Sequence, residues 1–193
     1  MSEKAGRYLV VDTETTGLHP ARHGLIELAA AALDGQLILL DTFQADVCPP
    51  EGVEYDPEAL QINGFTLERI RAGISYRMIC ERFLTFLNKN FSAEPIVIGQ
   101  FYPFDYAFLE QVFSTSGYRD GLTAAFKGND IIDTKALANS INAHALLKER
   151  PGIHCSKRYA HIEDDDRSNY YPSTSDNVRQ NSGWKAHDDS DYC

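Results

Sequence analysis

Asp12 and Glu14 stand one residue apart where the apolar run Tyr8-Leu9-Val10-Val11 ends. A short run of this kind closing on acids fits the carboxyl end of a buried strand. Side chains two apart on a strand share a face, so both carboxylates project to the same side. Ionised together they repel, and a hard divalent cation such as Mg²⁺ or Mn²⁺ would relieve that repulsion. In a chain with 28 acidic residues an isolated Asp-x-Glu is more often the solvated end of a strand, so its surroundings must decide.

A third acid, Asp105, lies in Ile98-Gly99-Gln100-Phe101-Tyr102-Pro103-Phe104-Asp105-Tyr106-Ala107-Phe108-Leu109. Pro103 suits the first turn of a helix, where Asp105 taken alone reads as a cap. The aromatic residues around it are mostly core. One of them, with Phe104 the candidate, could stack on a nucleic-acid base, as single-strand binders use aromatics.

The elements that must hold these acids follow from the apolar pattern. Beyond the first strand, a second is expected at Leu25 to Leu33 and a third from Gln36 to Val47, where Phe43, Ala45 and Val47 alternate with Thr42, Gln44 and Asp46. Asp34-Gly35 marks the hairpin between them. Pro57 to Ile62 fits a short helix, and Ser75 can cap a longer one with Ile79, Phe83, Phe86 and Leu87 on one face. Ile96-Val97-Ile98 is a further strand, followed by the helix of Phe104, Phe108, Leu109, Val112 and Phe113. Ile131-Ile132 forms the last strand, after which Asp133 or Thr134 caps a helix to about Leu147. Hairpin-linked strands followed by strands alternating with helices predict a mixed α/β sheet, three strands antiparallel and the rest parallel, with helices on both faces.

At 193 residues and 43% apolar, the chain can bury one sizeable core, expected over residues 1–150. From Pro151-Gly152 onward Asp, Ser, Asn, Tyr and His dominate, so 151–193 is read as a polar, disordered or divergent tail. The four cysteines show no metal or redox spacing, no stretch is long and apolar enough for a membrane span, and nothing at the amino end resembles a secretion signal; a cytoplasmic protein is expected. A net charge of −10 argues against a protein that coats duplex, but not against an enzyme holding one strand end through bound cations.

Val10-Val11-Asp12-Thr13-Glu14-Thr15-Thr16-Gly17-Leu18 resembles the first motif of the DEDD 3′-5′ exonuclease superfamily nearly residue for residue, and the stretch around Asp105 is similar to its second. Glu27 in Leu25-Ile26-Glu27-Leu28, Asp56-Pro57-Glu58-Ala59-Leu60 with Asn63-Gly64-Phe65, and Ile131-Ile132-Asp133-Thr134 follow in family order. The similarity runs from residue 8 to about 140 and points to the DEDDh branch, which includes the proofreading epsilon subunit of bacterial DNA polymerase III and ribonuclease T. It implies a ribonuclease-H-like mixed five-stranded sheet flanked by helices.

The resemblance also implies roles. Asp12, Glu14 and Asp105 would bind two Mg²⁺ or Mn²⁺ ions, and Thr15, Thr16, Gly17 and Leu18 would lie against the 3′-terminal nucleotide of single-stranded DNA or RNA. The family's third motif places His five residues before a last metal-binding Asp. His161 and Asp166 have that spacing, with Asp166 as the fourth metal ligand and His161 as general base. His187 with Asp191 is a second candidate, and His144 has Glu149 at that interval but follows Asp133 too soon. The expected reaction is hydrolysis that releases nucleoside monophosphates, with proofreading or DNA repair as setting and a polymerase as candidate partner. The rival expectation is an exonuclease-fold module, impaired in its third motif, that binds a strand end or a protein.

Overall fold

The computed structural model describes residues 6–126 and 130–147. A six-stranded sheet in the order β4-β3-β2-β1-β5-β6 forms its centre. Strands β1 (Tyr8–Thr15), β2 (Leu25–Leu33) and β3 (Leu39–Cys48) make an antiparallel meander. Strands β5 (Ile96–Gly99) and β6 (Ile131–Asp133) extend it in parallel from the other edge of β1. The mixed sheet is therefore as expected, with one strand more than the five read from the pattern. The addition, β4 (Ile74–Ser75), is two residues pairing with Val47 and Cys48. So short a strand carries no alternation to read, and Ser75 is also the N-cap of the following helix.

Among the described residues six helices accompany the sheet: α1 (Pro57–Asn63), α2 (Leu67–Arg71), α3 (Tyr76–Asn90), α4 (Tyr102–Thr115), α5 (Arg119–Phe126) and α6 (Thr134–Leu147). Helix α1 starts at Pro57 because the Asp56 carboxylate accepts from the Glu58 amide, and it stops at Gly64, whose φ of 72° is left-handed. Ser75 caps α3 as anticipated, accepting from Met78. Helices α2 and α5 were not anticipated. The first has five residues, and the second carries Gly121 and Thr123 inside it, both poor helix formers that hide its periodicity.

One sheet face carries Leu9 and Val11 of β1, Leu28, Ala30 and Ala32 of β2 and Val97 of β5. Against them α3 and α4 set Ile79, Phe83, Phe108, Leu109, Val112 and Phe113, all buried. Phe83 is the hub, within 6.4 Å centroid distance of Phe43, Phe86, Phe113 and Phe126. Burial of such rings, worth about 1.5–3 kcal/mol each, fixes α4 on the sheet. The register of β1 is set by the same alternation, since a one-residue slip would turn Leu9, Val11 and Thr13 outward.

The β2–β3 turn departs from the expected Asp34-Gly35 hairpin. Asp34 Oδ1 accepts from the amides of both Gln36 and Ile38, and the positive φ falls on Leu37 at 65°. The loop is longer than two residues, so β3 begins at Leu39 rather than Gln36. Leu37, Ile38, Leu39 and Leu40 are left exposed at this far end of the sheet. No helix among the described residues is long and apolar enough to cross a membrane.

Candidate active site

At the carboxyl end of β1 the pleat sorts the motif Asp12 to Gly17 into two roles. Asp12 is exposed and Glu14 half-buried on one face, while Thr13 and Thr15 turn into the protein. The two acids are thus presented together, as the spacing predicted. Asp105 is fully buried in the first turn of α4. Its Oδ1 accepts from both the amide and the hydroxyl of Thr13, at 3.1 and 2.7 Å. The cap reading of Asp105 is replaced by this long-range tie, and the N-cap residue Phe101, at φ 57°, makes no side-chain cap bond of its own. Asp105 is therefore bonded to the residue between the two acids, and the first turn of α4 is fastened to β1.

Asp133 fastens the same turn from the other side. Its carboxylate accepts from the amides of Phe101 and Tyr102 at the start of α4 and from Lys135 and Ala136 at the start of α6. One side chain thereby satisfies donors that two helix N-termini would otherwise leave unmet. Of the two residues considered as cap for α6, Asp133 performs it, and the Thr134 hydroxyl donates instead to the Gly99 carbonyl at 3.2 Å.

The loop after β1 is bonded inward. The Thr15 hydroxyl donates to Gly17 O at 2.7 Å, and the Thr16 hydroxyl donates to Glu54 O while accepting from the Gly24 amide. The Thr16 carbonyl accepts from the Asp56 amide, and Asn63 Nδ2 donates to Thr15 O at 3.1 Å. Thr15, Thr16 and Gly17 are buried, whereas Leu18 is half-buried at the rim. A Cβ on Gly17 would run into the ring of His23, so this position takes glycine. His23 Nδ1 accepts from the His19 amide at 3.0 Å, and burial pushes the pKa of its imidazole below the usual 6.5. Phe104, half-buried, leans on Phe108 at 5.1 Å between ring centroids.

Beyond the acids, Arg69 of α2 was not singled out from the sequence. It grips Asp46 with Nε and Nη2 at 2.7 and 2.6 Å and reaches Glu27 with Nη2 at 2.6 Å. Its guanidinium lies 3.7 Å from the Phe65 ring centroid. That bond depresses the Asp46 pKa and raises that of Arg69. No local signal could have found Arg69, because its partners lie 23 and 42 residues away.

In kind, the donors Asp12, Glu14 and Asp105 fit a hard cation, being all-oxygen. In number they fall short alone: among the described residues no group of three His, Cys, Asp or Glu is placed to hold a metal ion. His161, Asp166, His187, Asp191 and the whole 151–193 tail lie outside the described residues. So does the Glu149 partner considered for His144.

The exonuclease family profile matches residues 9–162 of this sequence. The chain belongs to the DEDD 3′-5′ exonuclease superfamily. Relatives include the DNA polymerase III subunit epsilon of Haemophilus influenzae, 28% identical over 168 residues, covering 80% of this chain and 60% of that protein. A PolC-type DNA polymerase III of Pediococcus pentosaceus is 28% identical over 135 residues, 70% of this chain and 8% of the polymerase. Exonuclease I of E. coli, in complex with a dT13 oligonucleotide, superposes with a TM-score of 0.62 at 22% identity, covering 78% of this chain and 32% of that one. The last similarity is one of fold, and it confirms the ribonuclease-H-like sheet. The chain thus spans between a twelfth and three fifths of the length of these proteins.

Proposed function

We propose that this chain is a metal-dependent 3′-5′ exonuclease that removes nucleoside 5′-monophosphates from single-stranded or frayed DNA or RNA 3′ ends. The observation that carries the reading is the pair Asp12 and Glu14 on one face of β1, with Asp105 bonded to Thr13 between them. Asp12, Glu14 and Asp105, joined by Asp166, would hold Mg²⁺ or Mn²⁺. Such ions supply a hydroxide nucleophile and neutralise charge at the scissile phosphate. Asp105 is kept at its post by Thr13, and its Oδ1 takes both of those hydrogen bonds. His161, as a neutral imidazole, would accept the proton of the attacking water.

The terminal nucleotide would lie over the loop of Thr15, Thr16, Gly17 and Leu18, with Leu18 and Phe104 supplying apolar contact. The Thr15 and Thr16 hydroxyls are engaged within the protein. Their part is to shape the loop, which leaves backbone groups to meet the strand. Residues 1–150 would form the nuclease unit and 151–193 the segment that completes its third motif. A cytoplasmic setting, proofreading or repair as the task and a polymerase as partner complete the proposal, supported by the epsilon relative's place as a polymerase III subunit.

The second reading, a binding module without catalysis, is favoured by one observation: the described residues alone do not assemble three metal ligands. Incubating the full chain with 5′-labelled single-stranded DNA and RNA, with Mg²⁺, Mn²⁺ or chelator, separates the two. A metal-dependent ladder lost in D12A and H161A supports the exonuclease with His161 as base. A ladder lost only in D12A moves the base elsewhere, and a folded protein that yields no ladder is the binding module.

A further inference from the structure

Three carboxylates stand in one row across the sheet. Glu14 of β1 is directly opposite Glu27 of β2, and Glu27 is directly opposite Asp46 of β3. Opposed positions on antiparallel strands hold their Cβ atoms about 4.5–5.5 Å apart, and like charges there destabilise the sheet. Arg69 is bonded to two of the three. It takes Asp46 through Nε and Nη2 and Glu27 through the same Nη2, from a helix whose N-cap Thr66 fixes the Arg69 amide. The Phe65 ring backs the guanidinium. The Glu27 side chain is 15% exposed, so its charge is held in a partly dehydrated place where a partner matters.

We propose that Arg69 is a positioning residue for the metal site: by holding Glu27 toward Asp46, it prevents Glu27 from joining Glu14 as a ligand. The inference rests on Glu14 being a metal-binding acid, as read above. Glu27 has the same side-chain chemistry as Glu14, stands opposite it and shares its sheet face, so the sheet alone does not choose between them. The choice is made by α2. Without the guanidinium, Glu27 would be drawn by any divalent ion at Glu14, adding a third carboxylate that holds the ion more tightly and in the wrong place.

The test is Mn²⁺ binding to the full chain, followed by the EPR signal of free and bound Mn²⁺, for R69M, E27Q, R69M/E27Q and E14Q beside the parent. R69M is expected to bind Mn²⁺ roughly threefold to tenfold more tightly, because affinity rises with the number of charged ligands. Its bound-Mn²⁺ spectrum should change, and kcat at saturating Mn²⁺ should fall. E27Q alone should bind as the parent does, and E27Q added to R69M should return affinity and spectrum to the parent's. A purely structural role for Arg69 would not be reversed by that second change. R69K retains the charge but not the fork that reaches two acids at once, and should show the same tightening in smaller degree; it serves if R69M does not fold. Parent-like Mn²⁺ affinity in R69M, or in R69K where R69M fails to fold, overturns the inference alone, provided E14Q loses binding. A parent chain that binds no Mn²⁺ overturns the inference and the exonuclease reading with it.

Discussion

The two ends of the Asp12 to Asp105 assembly are built by opposite means. Asp12 is exposed at a strand end, set opposite Ala29 by the ladder to β2. Asp105 is buried completely, on a helix turn held by Thr13 in front and Asp133 behind. One acid stands in solvent at the end of a strand, and the other is locked inside the protein by long-range side-chain bonds. The first should therefore be separable from folding and the second should not.

The sharpest way to break that contrast is to truncate both. D12A should lose on the order of 10²–10³-fold or more in nuclease rate, the scale of removing one fixed electrostatic partner of a transition state. Its stability should stay within about 0.5 kcal/mol of the parent, as for most surface substitutions. D105A should lose activity equally, and also at least about 1–3 kcal/mol, because the buried Thr13 donors are left unmet. Chemical denaturation beside the ladder assay checks both, and an equally stable D105A would erase the distinction.

D133A should cost about 1–4 kcal/mol, since a single lost helix cap costs 0.5–2 and this carboxylate serves two. Its activity should fall with the loosened α4 turn, readable as weaker Mn²⁺ affinity. T13V, similar in shape but without the hydroxyl, should cost about 1.5–3 kcal/mol, the range for a hydrogen bond to a charged group. If T13V leaves Mn²⁺ affinity unchanged, the amide bond suffices to place Asp105.

The smallest effect concerns pH. His23 is half-buried against Gly17, and that burial holds its folded pKa below the unfolded 6.5. The unfolded chain takes up that proton more readily, so the stability is full above pH 6.5 and is lost as pH falls through the folded value. Tm measured between pH 7.5 and 5.5 should decline less steeply in H23Q than in the parent.

The strand positions of Asp12 and Glu14 were legible because a period-two pattern depends only on neighbours. β2 at Leu25–Leu33 was legible from its apolar run, and the turn carrying Asp105 from Pro103 and the helical spacing that follows it. What escaped depends on distant partners. The bond that holds Asp105 comes from a residue 92 positions away, the double duty of Asp133 from amides 31 and 32 positions back, and Arg69's grip from acids on β2 and β3. The Asp34-Gly35 signal failed more locally: the Asp34 side chain organised a longer loop than the dipeptide suggests.

The bonds around Thr15 and Thr16 also bear on the order of events as the chain folds. They join β1 to segments 38 and 48 residues further along, and Asp105 closes a span of 92. Contacts at such separations form only after costly loop closure, so they come late. A nascent chain that has not yet reached Asn63 has made Asp12 and Glu14 but neither Asp105 nor the bed that orients them. Nuclease competence would then arrive with the finished fold, and half-made chains would carry none.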